Sequence, residues 1–240
     1  MLILGAESSA AAASAAIVRD GKLISESYLN TGLTHSQTLL QLIDCCLKNA
    51  DLTVGELDAV AVAKGPGSFT GVRIGVSAVK GLCFERLIPV YGVSTLEAMG
   101  CSAAVPGYFI CPVMDARCAQ VYTAGFVCDA EGFRRVFDDA PLRLEELAER
   151  LLSLDMPALL TGDGADLTAA FLKERQIPFA VMPEIYKYQH ASAVAFAAFM
   201  RYNNGDAGVD PDSLVPSYLR PSQAEREKSK KEQKNDSAWQ

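Results

Sequence analysis

Four carboxylates, three serines and one glycine-rich turn are the residues of this chain best placed to do chemistry. Glu7, Ser8 and Ser9 follow a short apolar run, residues 2–6. Asp115 follows a second run, residues 108–113, and Asp163 and Asp166 follow a third, residues 158–161. Between them, Lys64-Gly65-Pro66-Gly67-Ser68-Phe69-Thr70-Gly71-Val72-Arg73-Ile74-Gly75 joins the run 59–63 to a long helical pattern, 72–84. Paired carboxylates such as Glu7/Asp115 or Asp163/Asp166 could hold a metal. A turn between a buried strand and a helix could aim backbone N–H groups at an anion. The same glycines could instead serve close backbone packing. Ser8, Ser9 or Ser68 could act as a nucleophile if a base were positioned beside it.

Several of these chemistries lose ground on spacing alone. The glycine turn is not a P-loop, because that motif needs Lys and a hydroxyl directly after its last glycine, and Lys64 precedes the turn. No G-x-S-x-G is present, and His35 and His190 are the only histidines that could serve a serine. Asp163 and Asp166 are explained as turn and helix-start residues. Seven cysteines, Cys45, Cys46, Cys83, Cys101, Cys111, Cys118 and Cys128, form no C-x-x-C pair, which argues against zinc.

The elements that must position these residues follow from periodicity. Residues 2–6 read as a buried strand, and Asp20-Gly21 marks a hairpin between two further strands. Thr34 with Gln37 fits a capping box opening a helix. That helix carries Leu39, Leu40, Ile43, Cys46 and Leu47 at helical spacing. Residues 58–63 form a fourth strand, parallel to a neighbour because a helix crosses between them. On the helix after the glycine turn, Gly71, Gly75 and Ala78 make a small-residue stripe beside an apolar stripe of Val72, Val76, Val79 and Cys83. That arc exceeds one sheet contact and predicts packing against a second helix. Two readings stay open for the pair of helices: a protein–protein interface, or ordinary burial.

Residues 106–221 repeat the plan, so each half reads as a three-strand meander followed by helix, strand and helix. This is an α/β duplication of architecture rather than of sequence. The expected domains are 1–105 and 106–221, the second with a late segment free to pack back on the first, followed by a polar, disordered tail, 222–240. The plan is that of the duplicated actin-like ATPase (RNase H-like) fold, in which the first hairpin of each half cradles ATP phosphates. The matching segments, Glu7-Ser8-Ser9-Ala10 and Asp115-Ala116-Arg117-Cys118, lack glycine, so Cβ atoms crowd the phosphate path. Glu7, Ser8, Ser9, Gly65, Gly67, Ser68 and Asp115 are therefore the candidate residues of a vestigial nucleotide or anion site. The chain of 240 residues is 50% hydrophobic with a net charge of −7, which disfavours unaided nucleic-acid binding. No run approaches a membrane span and residues 1–5 lack a basic leader, so a cytoplasmic protein is expected.

The stretch from Lys64 to Gly75 resembles the signature of the bacterial TsaB (YeaZ) proteins. Met114-Asp115-Ala116-Arg117 with Val121-Tyr122, Thr161-Gly162-Asp163-Gly164-Ala165, and Ser217-Tyr218-Leu219-Arg220 resemble that family's later motifs. The likeness runs from about Met1 to Arg220. It implies a non-catalytic subunit of the machinery that transfers threonylcarbamoyl from its adenylate to the adenosine beside the anticodon of tRNAs reading ANN codons. It further implies a catalytic TsaD-like paralogue as partner, a TsaE-like ATPase joining them, and a homodimer that exchanges the same helical surface. The interface residues so implied are Leu39, Leu40, Ile43, Cys46, Leu47, Gly71, Val72, Gly75, Val76, Val79 and Cys83. No cofactor of its own is expected, ATP and metal belonging to the partner subunits, and tRNA is met only within the complex. The paralogue's metal-binding H-x-x-x-H is absent, since Leu39 stands four residues after His35. The family often opens with Asp-Thr-Ser where this chain has Glu7-Ser8-Ser9. The alternative is an enzyme, either an actin-like ATPase or a peptidase acting on the paralogue.

Overall fold

The computed structural model describes residues 1–220; the tail expected over 222–240 lies outside them. The first half runs β1 (Leu2–Glu7), β2 (Ala13–Arg19), β3 (Lys22–Leu29), α1 (His35–Asn49), β4 (Ala59–Ala63), α2 (Phe69–Cys83), β5 (Val90–Val93) and α3 (Thr95–Ser102). The second runs β6 (Phe109–Asp115), β7 (Gln120–Asp129), β8 (Gly132–Arg143), α4 (Leu144–Leu152), β9 (Ala158–Thr161), α5 (Ala165–Glu174), β10 (Phe179–Val181) and α6 (Ala191–Asn203). Two five-stranded sheets result, ordered β3-β2-β1-β4-β5 and β8-β7-β6-β9-β10. One topology is thus used twice. In each sheet the meander is antiparallel, and the strands reached through helices are parallel.

Side-chain alternation sets the layers. In β1 and β4, Leu2, Leu4, Ala6, Val60 and Val62 face α1 and α2, while Ile3, Ala59, Ala61 and Ala63 face α6. Burial on both faces is why β4 reads as an unbroken apolar run. α6 returns from the second half to lie on the first sheet. Gly5 allows that approach, since a Cβ there would meet the Ala191 carbonyl and, at 3.0 Å, the Ala195 Cβ. α3 sits beside α6 and turns Leu96 and Met99 onto Ile110, Met114 and Phe126 of the second sheet. α4 and α5 cover that sheet's outer face. The order is therefore helices, sheet, helices, sheet, helices.

The Asp20-Gly21 hairpin is present, with φ +51 and +77 at its two residues. Thr34 is the N-cap of α1, but its side chain makes no cap hydrogen bond; the capping box with Gln37 is not formed. Helix α2 starts at Phe69, earlier than the pattern 72–84 indicates, because the Ser68 hydroxyl caps it by accepting from the Gly71 N–H at 3.2 Å.

Candidate functional site

Strands β1 and β6 occupy equivalent central positions, and both end at a cleft between the halves. Its volume is about 550 Å³, and Ser9, Gly67, Ser68, Asp115, Asp163 and Tyr218 are among the residues lining it. Of the seven residues expected at a nucleotide or anion site, four thus line one cavity: Ser9, Gly67, Ser68 and Asp115. Glu7, Ser8 and Gly65 do not.

Glu7 is fully buried behind the cleft. Its Oε1 accepts the Ser9 N–H at 2.6 Å, and its Oε2 has no hydrogen-bond partner. Burial pushes its carboxyl above the ordinary value, against the pull of nearby Ser9, Ser8 and His190. Ser8 is turned away, its Oγ donating to the Gly71 carbonyl at 2.9 Å. The Ser9 carbonyl accepts the Ser68 N–H at 2.6 Å, which ties the turn after β1 to the glycine turn. Gly67 makes this closeness possible, because its Cβ would sit against Ser9. Ser9 lines the cleft, and its Oγ is buried without a hydrogen-bond partner.

Across the cleft, Asp115 Oδ1 accepts the Arg117 N–H at 2.7 Å. Asp163 joins it there, a position that its reading as a turn residue did not foresee. Burial raises the Asp163 carboxyl, opposed by a hydrogen bond from the Asp115 backbone. The signal was available in the duplicated topology, since β9 is a neighbour of β6 and its C-terminal end must reach the same rim. The histidines serve other places. His35 Nε2 bonds the Ala10 carbonyl at 2.7 Å, and His190 stacks on Tyr28 with its Nδ1 3.4 Å from Glu26. No three His, Cys, Asp or Glu side chains gather as a metal site among the described residues.

The second site is a groove of about 570 Å³ between α1 and α2, walled by Leu40, Phe69, Arg73, Ile74 and Ala78. Here the expected interface residues need correcting. Leu39, Ile43, Cys46, Leu47, Gly71, Val72, Gly75, Val76, Val79 and Cys83 are all buried inside the chain's own fold. The side chains among them belong to the core beneath the first sheet. Only Leu40, 54% exposed, looks outward. Hydrophobic periodicity reports the face that a helix gives to its own core, and the outward face is the narrower remainder. The small-residue stripe is corrected too. A Cβ on Gly71 would strike the Ser8 carbonyl, and one on Gly75 would lie 2.6 Å from Ser8 Oγ. The glycines admit Ser8, just after β1; the His35 ring of α1 lies 3.3 Å from the Gly71 position.

Two copies of this strand order facing across a cleft define the duplicated actin-like class. A ROK hexokinase from Thermus thermophilus shares the fold at TM-score 0.50 and 12% identity, over 85% of this chain and all of that one. A family model described as "TsaD: tRNA N6-adenosine threonylcarbamoyltransferase" matches residues 30–228. Within that class, the Bacillus subtilis protein named tRNA threonylcarbamoyladenosine biosynthesis protein TsaB is 30% identical over 94% of this chain and 96% of its own. The structure of YeaZ from Pseudomonas aeruginosa matches at TM-score 0.75 and 26% identity, covering 91% of this chain and 99% of that one. The chain belongs to the TsaB (YeaZ) family.

Proposed function

We propose that this chain is a non-catalytic scaffold in tRNA threonylcarbamoyladenosine biosynthesis, which binds and activates a TsaD-type catalytic subunit and is joined by a TsaE-type ATPase. The observation that carries this reading is the outward face of α1 and α2. Leu40, 54% exposed, stands beside half-buried Ile74, Ala78 and Phe69. An apolar groove of this kind on a charged chain is what a partner's helix would cover. The family model that matches this chain describes the catalytic transferase, so a partner of the same fold offers an equivalent helix pair. The same face serves a homodimer when that partner is absent. The chain meets tRNA only within the complex and works in the cytoplasm; among the described residues no helix is long and apolar enough to cross a membrane.

The rival reading is an actin-like ATPase, and Asp115 with Asp163 in the cleft favours it. Against it stand the burial of Glu7 and the tie between Ser9 and Ser68, which fill the phosphate path from within.

Size-exclusion chromatography of the chain with the TsaD-type subunit tests the scaffold. Leu40→Asp is expected to weaken the heterodimer about tenfold or more, a burial-plus-charge effect, with the monomer's fold intact. Ile43→Glu and Val76→Glu are unsuitable, because those side chains are 2% and 4% exposed and a charge there unfolds the chain. Undiminished co-elution of Leu40→Asp would remove the interface, and ATP turnover by the purified chain would favour the rival.

A further inference from the structure

The motif Ser217-Tyr218-Leu219-Arg220 belongs to neither sheet, yet it touches both halves. The Ser217 N–H donates to the Lys64 carbonyl at 2.7 Å. Gly65, at φ +109, leaves open the place that the Ser217 carbonyl fills. The Tyr218 ring stacks on Phe69, centroids 4.8 Å apart. The Arg73 guanidinium lies 3.8 Å from the Phe69 ring centre, and its Nε donates to Tyr218 Oη at 2.8 Å. Two residues on, Arg220 Nη1 donates to the Ala116 carbonyl at 3.3 Å, in the turn that follows β6. Residues 217–220 therefore cross the mouth of the cleft and help to line it. Phe69 lines both the cleft and the α1–α2 groove, and Arg73 lines the groove.

We propose that residues 217–220 are a latch. It holds the second half's cleft wall against the first half, and a partner seated in the groove bears on it through Phe69 and Arg73. The latch itself stands on the contacts above; its link to a partner rests on the functional reading. The physical coupling is desolvation. Covering the groove removes water from the Arg73–Phe69–Tyr218 stack, which strengthens its cation–π and hydrogen-bond components. A stack strengthened by the partner strengthens the latch, and by linkage an intact latch strengthens partner binding. The narrower reading, in which the segment only covers apolar surface, requires no communication between residues 64–73 and the turn after β6.

Hydrogen exchange of the full chain, read by mass spectrometry, separates the two. Arg220→Ala keeps the Tyr218 anchor, so exchange is expected to rise about tenfold in residues 115–120 and to stay unchanged in 64–73. Arg220→Lys, which keeps one donor, restores part of the protection. Tyr218→Ala removes the stack on Phe69 and the Arg73 contact, loosens the segment at its centre and speeds exchange in both regions. Adding the TsaD-type subunit to the wild-type chain slows exchange in 115–120, and Arg220→Ala abolishes that slowing. Equal exchange in wild type and both alanine variants overturns the latch. Slowing that survives Arg220→Ala overturns the coupling. Should the wild type not bind the subunit at all, the functional reading fails, while exchange in the free variants still decides the latch.

Discussion

A carboxyl group sealed from water, with one backbone donor and one idle oxygen, keeps its proton to a higher pH than it would in solution. Glu7 is such a group. Its folded-state value lies above the unfolded value of about 4.5, so the folded chain binds more protons between the two. Stability from this residue is therefore fully present below the unfolded value and declines as pH rises through the folded one. Glu7→Gln keeps a carbonyl for the Ser9 N–H and removes the titration. The variant is expected to match wild type near pH 4.5 and to melt at a higher temperature at pH 8, the gap widening with pH, as differential scanning fluorimetry would record. A constant difference at every pH would mean that Glu7 does not titrate in this way. The acidic residue closing the first strand was legible in the sequence. Its burial was not, because it depends on the Ser9–Ser68 tie and on α6, which arrives from far along the chain.

At the scale of the element, helix α2 shows what periodicity contains and what it lacks. Its existence, its apolar stripe and its small-residue stripe could all be read from spacing. Which neighbour each stripe meets could not, because a stripe of glycines fits any close backbone. Ser8 turned out to be that neighbour, and the outward face proved to be Arg73, Ile74, Ser77 and Ala78 instead of the valines. Two substitutions separate close approach from helix propensity. Gly71→Ala drives a methyl into the Ser8 backbone and is expected to cost about 1–3 kcal/mol, the range for overpacking. Gly81 is exposed with nothing within 4 Å of a Cβ, so Gly81→Ala is expected to stabilise by about 0.5–1 kcal/mol through propensity alone. Urea unfolding measures both. Equal effects would show that Gly71 serves the helix rather than the contact.

At the scale of the whole molecule, the duplication was legible because each half spells the same order of strands and helices. The polar part of the joint between halves, beside the apolar seat of α3 on the second sheet, was not, since its residues look like ordinary surface charge. Asp139 on β8 accepts the Ser94 hydroxyl at the start of α3 and the Arg135 guanidinium at 2.6 Å. Arg135 also lies 3.9 Å from Glu97 and 4.7 Å from the centre of the Phe126 ring. Arg135 and Asp139 are 28% and 18% exposed, too shielded for the weak worth of a surface ion pair and too wet for the penalty of a sealed one. Removing Asp139 strands a guanidinium and a cap hydroxyl together, so Asp139→Ala is expected to cost about 1–3 kcal/mol. Ser94→Ala removes a helix cap and one donor, for about 1 kcal/mol. A double-mutant cycle between them reads the contact across the joint. A coupling of about 0.5 kcal/mol or more means that the halves are fastened at this point. Strict additivity would place the cost of Asp139→Ala within β8, through Arg135, and leave the apolar seat of α3 on the second sheet and the latch at residues 217–220 to hold the halves together.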